Sequence, residues 1–418
     1  MPALLEISLI LCALLALLGV VFEEIIHINK AKTTLFFGTF SWLLMFVFSG
    51  SGERQDDLLE RLDHNLLEIA TLWLFLMATM TFVAYLNAKG LVQTLVQRVC
   101  PRQMSKRALM IMVALFGMIL SMICDNVTAT LVTLGLVQAF NLDNRTRIKL
   151  AVLVVFAVNS GGVSLITGDV TTLMIFLAGH VTMTQLFVLL VPAVLGVLTL
   201  ALLLLPGISG TVMTDQIKRK LQPLDIAILL IFFCTIFSTM MLNFLFQVPP
   251  VLTFLLGLSL MFLVGQWYRL EREELKILDY IRQVEYETLL FFLGVLLIVG
   301  MLKEIGVLDL LTSAYTSVSP VVANYGAGVF SAVIDNVPLT AALIKAGPEL
   351  TVPQWLELTY GVGVGGSLLA IGSAAGIIAM GKVKGLTFGS YLRYFPFLFI
   401  AYTVGYWITV QLTTVVFG

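Results

Sequence analysis

Apolar runs of roughly the 20 residues that cross a bilayer as a helix follow one another along the whole chain, with short polar breaks between them. In hydrocarbon a backbone satisfies its polar groups only inside a helix or a closed barrel, and continuous runs without period-two alternation select the helix. Composition agrees: of 418 residues 59% are hydrophobic and only 12% charged, against about a quarter in a soluble domain, and mean hydropathy is +1.01. The expected fold is an all-α polytopic membrane protein, with one membrane transport domain filling residues 1–418. A formal charge of −1 leaves no basic excess for nucleic acid. Cys12, Cys100, Cys124 and Cys234 are scattered, with no CxxC pair, so the pattern predicts packing thiols, no metal cluster and no cofactor. Residues 3–22 lack a basic leader and a small-residue cleavage site, and read as a first span and not a removable signal.

Ten crossings are expected, near 3–22, 33–50, 66–87, 148–178, 184–205, 224–246, 250–267, 288–302, 355–381 and 396–415. Two further apolar segments, 107–140 and 321–346, are interrupted by Asp-Asn and read as re-entrant hairpins. With that choice one face holds Lys30 and Lys32 and the basic residues of 89–107, 145–149, 218–220, 269–282 and 382–393, which make 20 of the 24. The other face has the loop Glu53–Asp63, with five acids against two bases. The positive-inside rule then puts both termini outside the cytoplasm of a bacterial-type inner membrane. The mixed-charge loop 268–287 is expected to form a solvated cytoplasmic helix.

Two motifs recur in the same order. CDNVTAT (124–130) precedes NSGGVSLITGDVTT (159–172), and IDNVPLTAA (334–342) precedes GVGGSLLAIGSAAG (363–376). Asp125 and Asp335 are 210 positions apart and the Gly-Gly pairs 161–162 and 365–366 are 204 apart. The topology gives the copies opposite orientations, with a first inverted repeat at 1–205, a cytoplasmic linker at 206–223 and a second repeat at 224–418. Inverted repeats with discontinuous helices meeting near the midplane mark a secondary transporter.

An aspartate at a helix centre in a bilayer costs roughly 2.5–3.5 kcal/mol, so deep carboxylates usually mark an ion path. Asp125, Asp169 and Asp335 lie inside the motifs, whereas the basic residues cluster at span ends, where they snorkel. Carboxylate, Asn and Thr oxygens with freed carbonyls suit a hard monovalent cation such as Na⁺ and repel an anion. Ser373 stands where the 204-residue offset would repeat Asp169, so the site is chemically asymmetric. Nearby carboxylates in a poorly hydrated site resist ionising together, so a proton competes with Na⁺ for the same oxygens. Capping of the following helix is the competing reading for each aspartate. Glu68, His27, His64 and His180 fall near span ends and read as interfacial groups, and Asp57 as a silent loop residue.

These motifs resemble those of NhaD-type sodium/proton antiporters, a branch of the superfamily that also holds arsenite-efflux and dicarboxylate carriers. The resemblance rests on DNVT at 125–128, GDVTT at 168–172, IDNVP at 334–338 and GGSLLAIGSAAG at 365–376, with FFLGVLLIVG at 291–300. It implies that Asp125, Asn126 and Thr128 stand at one hairpin tip, and Asp335 and Asn336 at the other. It also implies that Asn159, Asp169, Thr171 and Thr172 line one unwound helix, and Ser367 and Ser373 the other. It further implies Na⁺ and Li⁺ exchanged for H⁺, activity favoured at alkaline pH, a role in pH homeostasis and salt tolerance, and a homodimer moving a transport part against a scaffold. The little sequence before the first span departs from family members that carry an added N-terminal element. A dicarboxylate symporter or an arsenite carrier on the same scaffold is the nearest rival, since fold does not fix substrate. An intramembrane aspartyl protease is disfavoured, because its GxGD motif would need glycine where Ile166 stands.

Overall fold

The computed structural model describes residues 3–21, 23, 28–49, 53–91, 103–138, 140–213, 222–271 and 277–417. Cys100, His27, the basic residues Arg98, Arg102, Lys218, Arg219, Lys220, Arg272 and Lys276, and most of the expected linker lie outside them.

The first half runs α1 (Ala3–Val21), α2 (Lys30–Ser49), α3 (Glu53–Ala88), α4 (Lys106–Ile123), α5 (Asn126–Gln138), α6 (Asn144–Gly162), α7 (Val170–Leu177) and α8 (Met183–Leu204). The second runs α9 (Pro223–Phe246), α10 (Pro250–Glu271), α11 (Tyr286–Glu304), the short α12 (Asp309–Ser317), α13 (Pro320–Ser331), α14 (Asn336–Ala346), α15 (Val352–Gly365), α16 (Ala374–Lys382) and, after a short helix at Phe388–Leu392, α17 (Phe395–Phe417). Among the described residues eight helices are long and apolar enough to cross a membrane, and α1 and α5 are shorter apolar helices. The strands Gln103–Ser105 and Thr211–Met213 pair antiparallel, tying the entry of α4 to the end of the first half.

Helix ends follow from local chemistry. Ser105 accepts from Ala108 N at 3.1 Å and starts α4. Asp143 starts α6, and the hydroxyl of Thr351 with the side chain of Gln354 forms a reciprocal capping box at α15. Lys149, nearly fully buried, donates to the carbonyls of Leu204 and Pro206 at 2.8 and 2.6 Å and so closes the C-terminal end of α8.

Packing repeats between the halves. In the first, α1 lies on α2, α4 on α6 and α6 on α8; in the second, α9 lies on α10, α13 on α15 and α15 on α17. Across the halves α2 packs on α11 and α3 on α10, α5 on α16 and α14 on α7, α6 on α15 and α8 on α17. A glycine in each half lets two helix backbones approach closely. A Cβ on Gly161 would stand 2.1 Å from the Met118 carbonyl oxygen on α4, and one on Gly365 would stand 2.0 Å from that of Gly328 on α13.

One expectation needs correction. Glu53–Asp63 is the first part of the 36-residue α3 and not a loop: it contains no Gly or Pro, and Leu58 and Leu62 face inward at helical spacing. Of the expected helix over 268–287, residues up to Glu271 are the end of the described part of α10 and Ile277–Gln283 form a 3₁₀ segment, while residues 272–276 lie outside the described residues.

Candidate functional site

Four chain breaks converge. Each half has a helix pair interrupted at Asp-Asn (α4–α5, α13–α14) and a long helix interrupted after its glycines (α6–α7, α15–α16). Asp125, Asp169, Asp335 and Ser373 stand immediately before the second helix of each broken element. A helix N-terminus carries partial positive charge, and three of these four ends are supplied with a carboxylate.

The four ends surround a cavity of about 120 Å³ whose lining includes Asp125, Asn126, Gly168, Asp169, Asp335, Asn336 and Ser373 from the motifs, with Lys30, Thr288, Phe291 and Phe292 from the helices facing them. Its walls come from both halves. A wider cavity of about 270 Å³ adjoins it, shares Lys30, Val127, Thr288, Phe291 and Ala374, and adds Glu23, Asn29, Glu285 and Glu287. The site therefore opens toward the ends of α2 and α11 that carry these acids. Burial, with Asp125 and Glu287 nearby, holds the Glu285 carboxyl above its usual range.

The three aspartates are held differently. Asp125 Oδ1 accepts from Thr128 N at 2.9 Å and Oδ2 from the Thr128 hydroxyl at 2.9 Å. Asp335 Oδ1 accepts from Val337 N at 3.2 Å, and Oδ2 takes the Lys30 ammonium at 2.8 Å. Asp169 Oδ1 accepts from Thr171 N at 3.1 Å, but its buried Oδ2 has no hydrogen-bond partner. Capping and an unused acceptor thus coexist in one side chain. An unpartnered buried carboxylate oxygen is costly, so this atom is where a ligand or a proton gains most. The carboxylates line one cavity without meeting at a point: among the described residues no three His, Cys, Asp or Glu side chains lie close enough to hold a metal ion together.

Six of the eleven residues expected from sequence line the cavity: Asp125, Asn126, Asp169, Asp335, Asn336 and Ser373. Asn126 Oδ1 accepts from the Ser121 hydroxyl at 2.7 Å. Asn159 reaches across the halves, its Nδ2 donating to Ser373 Oγ at 3.2 Å while its Oδ1 stays unpartnered. Thr128 anchors Asp125, Thr171 has a buried unpartnered hydroxyl, and Thr172 points its hydroxyl at the Gly162 carbonyl, 3.5 Å away. Ser367 is placed elsewhere: its hydroxyl donates back to Val364 O at 2.6 Å and its carbonyl accepts from Tyr391 at 2.5 Å. A serine in the turn after a helix satisfies itself on the last carbonyls, which is why it leaves the cavity.

Sequence reasoning missed two charged groups. Lys30 reads as a snorkelling span-end lysine, yet it pairs with Asp335 305 positions away. Glu357, in the second turn of α15, is 2% exposed with Oε2 unpartnered and lies by Asn324 and Tyr406, outside the cavity. Of the described histidines, His64 contacts Glu68 at 3.1 Å, and His180 stacks on Trp355 with centroids 3.7 Å apart.

Comparison with known proteins places this arrangement. The sequence profile of the family described as "Citrate transporter" (CitMHS) matches residues 3–376. The chain is 31% identical to the Na⁺/H⁺ antiporter NhaD of Vibrio cholerae serotype O1, covering 92% of this chain and 87% of that protein. It is 30% identical to the Na⁺/H⁺ antiporter NhaD of Vibrio parahaemolyticus over 90% of this chain and 98% of that protein. It is 29% identical to sodium/proton antiporter 1 of Arabidopsis thaliana over 93% of this chain and 69% of that protein. These proteins are named as transporters and antiporters, not enzymes. The chain is an integral membrane protein that belongs to this transporter family and, within it, to the NhaD-type Na⁺/H⁺ antiporters.

Proposed function

We propose that the chain exchanges Na⁺, and Li⁺, for protons by alternating access, the cations and protons competing for Asp125, Asp169 and Asp335. The observation that carries the reading is Asp169 Oδ2, a buried carboxylate oxygen without a partner on the wall of a cavity that also holds two other aspartates and the side chains of Asn126, Asn336 and Ser373. A cation there takes ligands from one or two carboxylates and the neutral oxygens around them, since the three do not converge. Protonation of Asp169 satisfies the same oxygen, so proton and cation exclude one another.

Alternating access needs a moving part, and the proposed one is a transport part that moves against a scaffold, both built from inverted repeats, 1–205 and 224–418, whose helix pairs at 107–140 and 321–346 are re-entrant hairpins. The matched packing of the two halves supports the duplication. A homodimer in an inner membrane, with both termini outside the cytoplasm, completes the proposal. In that orientation the acid-lined cavity opens to the cytoplasm and loads Na⁺ for export.

One observation favours a second reading, citrate or dicarboxylate transport: the family description together with an ammonium, Lys30, in the cavity. The charge balance opposes it, because a carboxylate substrate would meet three fixed aspartates, and the one ammonium is already paired. The test is uptake of radioactive Na⁺ into acid-loaded proteoliposomes. Outward proton movement should drive Na⁺ accumulation, unlabelled Li⁺ should compete, and citrate should leave it unchanged. Citrate accumulation with no Na⁺/H⁺ exchange would overturn the reading.

A further inference from the structure

The odd feature of the cavity is Lys30, the one basic group among its described lining residues. A lysine as the first residue of a helix sits at the wrong end of the dipole and at a span end ordinarily snorkels to water. Lys30 opens α2 and instead turns inward. Its Nζ lies 2.8 Å from Asp335 Oδ2, with the two side chains 20% and 10% exposed, and 4.4 Å from the centre of the Phe291 ring. Pairing with a carboxylate and contact with an aromatic face are the two interactions that hold a cation in a poorly hydrated place.

Asp335 is the aspartate already held by a cation in this state. Oδ1 is engaged by Val337 N and Oδ2 by Lys30, whereas Asp125 and Asp169 make no ion pair among the described residues. We propose that the Lys30 ammonium is a tethered cation that occupies Asp335 whenever no transported cation does, so that Na⁺ or Li⁺ completes its binding by displacing it. This rests on the Na⁺/H⁺ exchange reading above. The displaced ammonium has somewhere to go. Lys30 also lines the wider cavity that carries Glu23, Glu285 and Glu287, and Glu23 Oε1 already accepts from the Lys30 backbone N at 3.1 Å. One monovalent cation replaces another on Asp335, and the carboxylate never faces the cavity uncompensated. Lys30 therefore sets how much Na⁺ is needed to fill the site, and acts as a positioning residue and competitor, not as a ligand.

The direct test uses the wild-type protein in detergent. Reductive methylation of lysines is followed by mass spectrometry at fixed pH, with NaCl or choline chloride at equal ionic strength. Na⁺ should raise modification of Lys30 several-fold, while Lys345, paired with Glu68 away from the cavity, is unchanged. Modification of Lys30 that is unchanged or reduced by Na⁺ overturns the proposal. The second test is kinetic. In proteoliposomes Lys30→Gln should lower the half-saturating Na⁺ concentration several-fold and Lys30→Arg should keep it near wild type; an unchanged or raised value in Lys30→Gln contradicts the tether. The methylation result decides should Lys30→Gln fail to fold. If the wild type shows no Na⁺/H⁺ exchange at all, the functional reading falls with it; if it exchanges while Lys30 ignores Na⁺, only the tether falls.

Discussion

The broken helices α6–α7 and α15–α16 are laid out alike, each ending its first segment at glycines pressed on a neighbouring backbone and restarting after an N-cap position, where Asp169 caps with its side chain and Ser373 does not. They keep their acids in different places. The first has Asp169 at the restart where the second has Ser373; the second has Glu357 deep in its first segment where the 204-residue offset puts Leu153 in the first. Both acids are buried and each has one oxygen without a partner. Only Asp169 faces the cavity with two other carboxylates. On the proposed function, burial of a charge is thus not enough to make an ion site; it takes a break in the helix, where backbone and side-chain oxygens are free together.

The hardest test of that comparison exchanges the three positions in turn. Asp169→Asn should reduce Na⁺-driven proton movement to background in proteoliposomes. Ser373→Ala, which removes a single hydrogen bond to Asn159, should cost no more than about tenfold. Glu357→Gln should keep most of the rate. A dead Glu357→Gln with an active Asp169→Asn would reverse the assignment of the two acids.

The two Asp-Asn breaks give the next contrast, read as stability. Asp335→Asn takes the carboxylate partner from a partly buried Lys30 ammonium, a loss of about 1.5–3 kcal/mol for a hydrogen bond to a charged group, whereas Asp125→Asn removes only an acceptor from Thr128. The thermal midpoint in detergent should therefore fall further for Asp335→Asn, although both should lose exchange. Equal midpoints would mean that the Lys30 pair contributes little.

At the helix crossings the halves should behave alike. Gly161→Ala and Gly365→Ala each force a methyl onto a backbone oxygen, with overpacking costs of about 1–3 kcal/mol, seen as matched falls in thermal midpoint. The caps give the smallest effects, about 1 kcal/mol each for Asp143→Ala and Thr351→Ala, and they differ in pH dependence. The Lys106 ammonium at 2.6 Å and the Thr146 donors hold the Asp143 carboxyl below its usual range. A depressed carboxyl stabilises above its unfolded value, about 3.9, and the contribution is lost as pH falls through the folded value. The Asp143→Ala deficit should accordingly persist from neutral pH down to mildly acidic pH and shrink below about pH 4, while the Thr351→Ala deficit stays constant. Both are measured by thermal melts across pH.

Much of this was legible in the chain because breaks announce themselves. Asp-Asn and Gly-Gly inside apolar runs are the residues that stop and restart a helix, so Asp125, Asp169, Asp335 and Ser373 could be set at breaks before any coordinates. The correspondence of Asp169 with Ser373 followed from spacing alone. What stayed hidden was tertiary. Nothing near Lys30 in sequence marks it as turned inward, since its partner arrives from the other half. Glu357 lies among apolar and aromatic neighbours, and only packing shows that it misses the cavity. Ser367 shares the motif with Ser373 but bonds to its own helix. The charged start of α3 is polar enough to resemble a loop, and only the helical spacing of Leu58 and Leu62 marks it as helix.

The most direct measurement is proton movement in sealed proteoliposomes carrying a pH-sensitive dye, with Na⁺, Li⁺, K⁺, citrate, succinate or arsenite added outside in turn. The account predicts that Na⁺ and Li⁺ make the lumen more alkaline in the wild type and not in Asp169→Asn. Silence to Na⁺ with a response to citrate, succinate or arsenite, or a full Na⁺ response in Asp169→Asn, would contradict it.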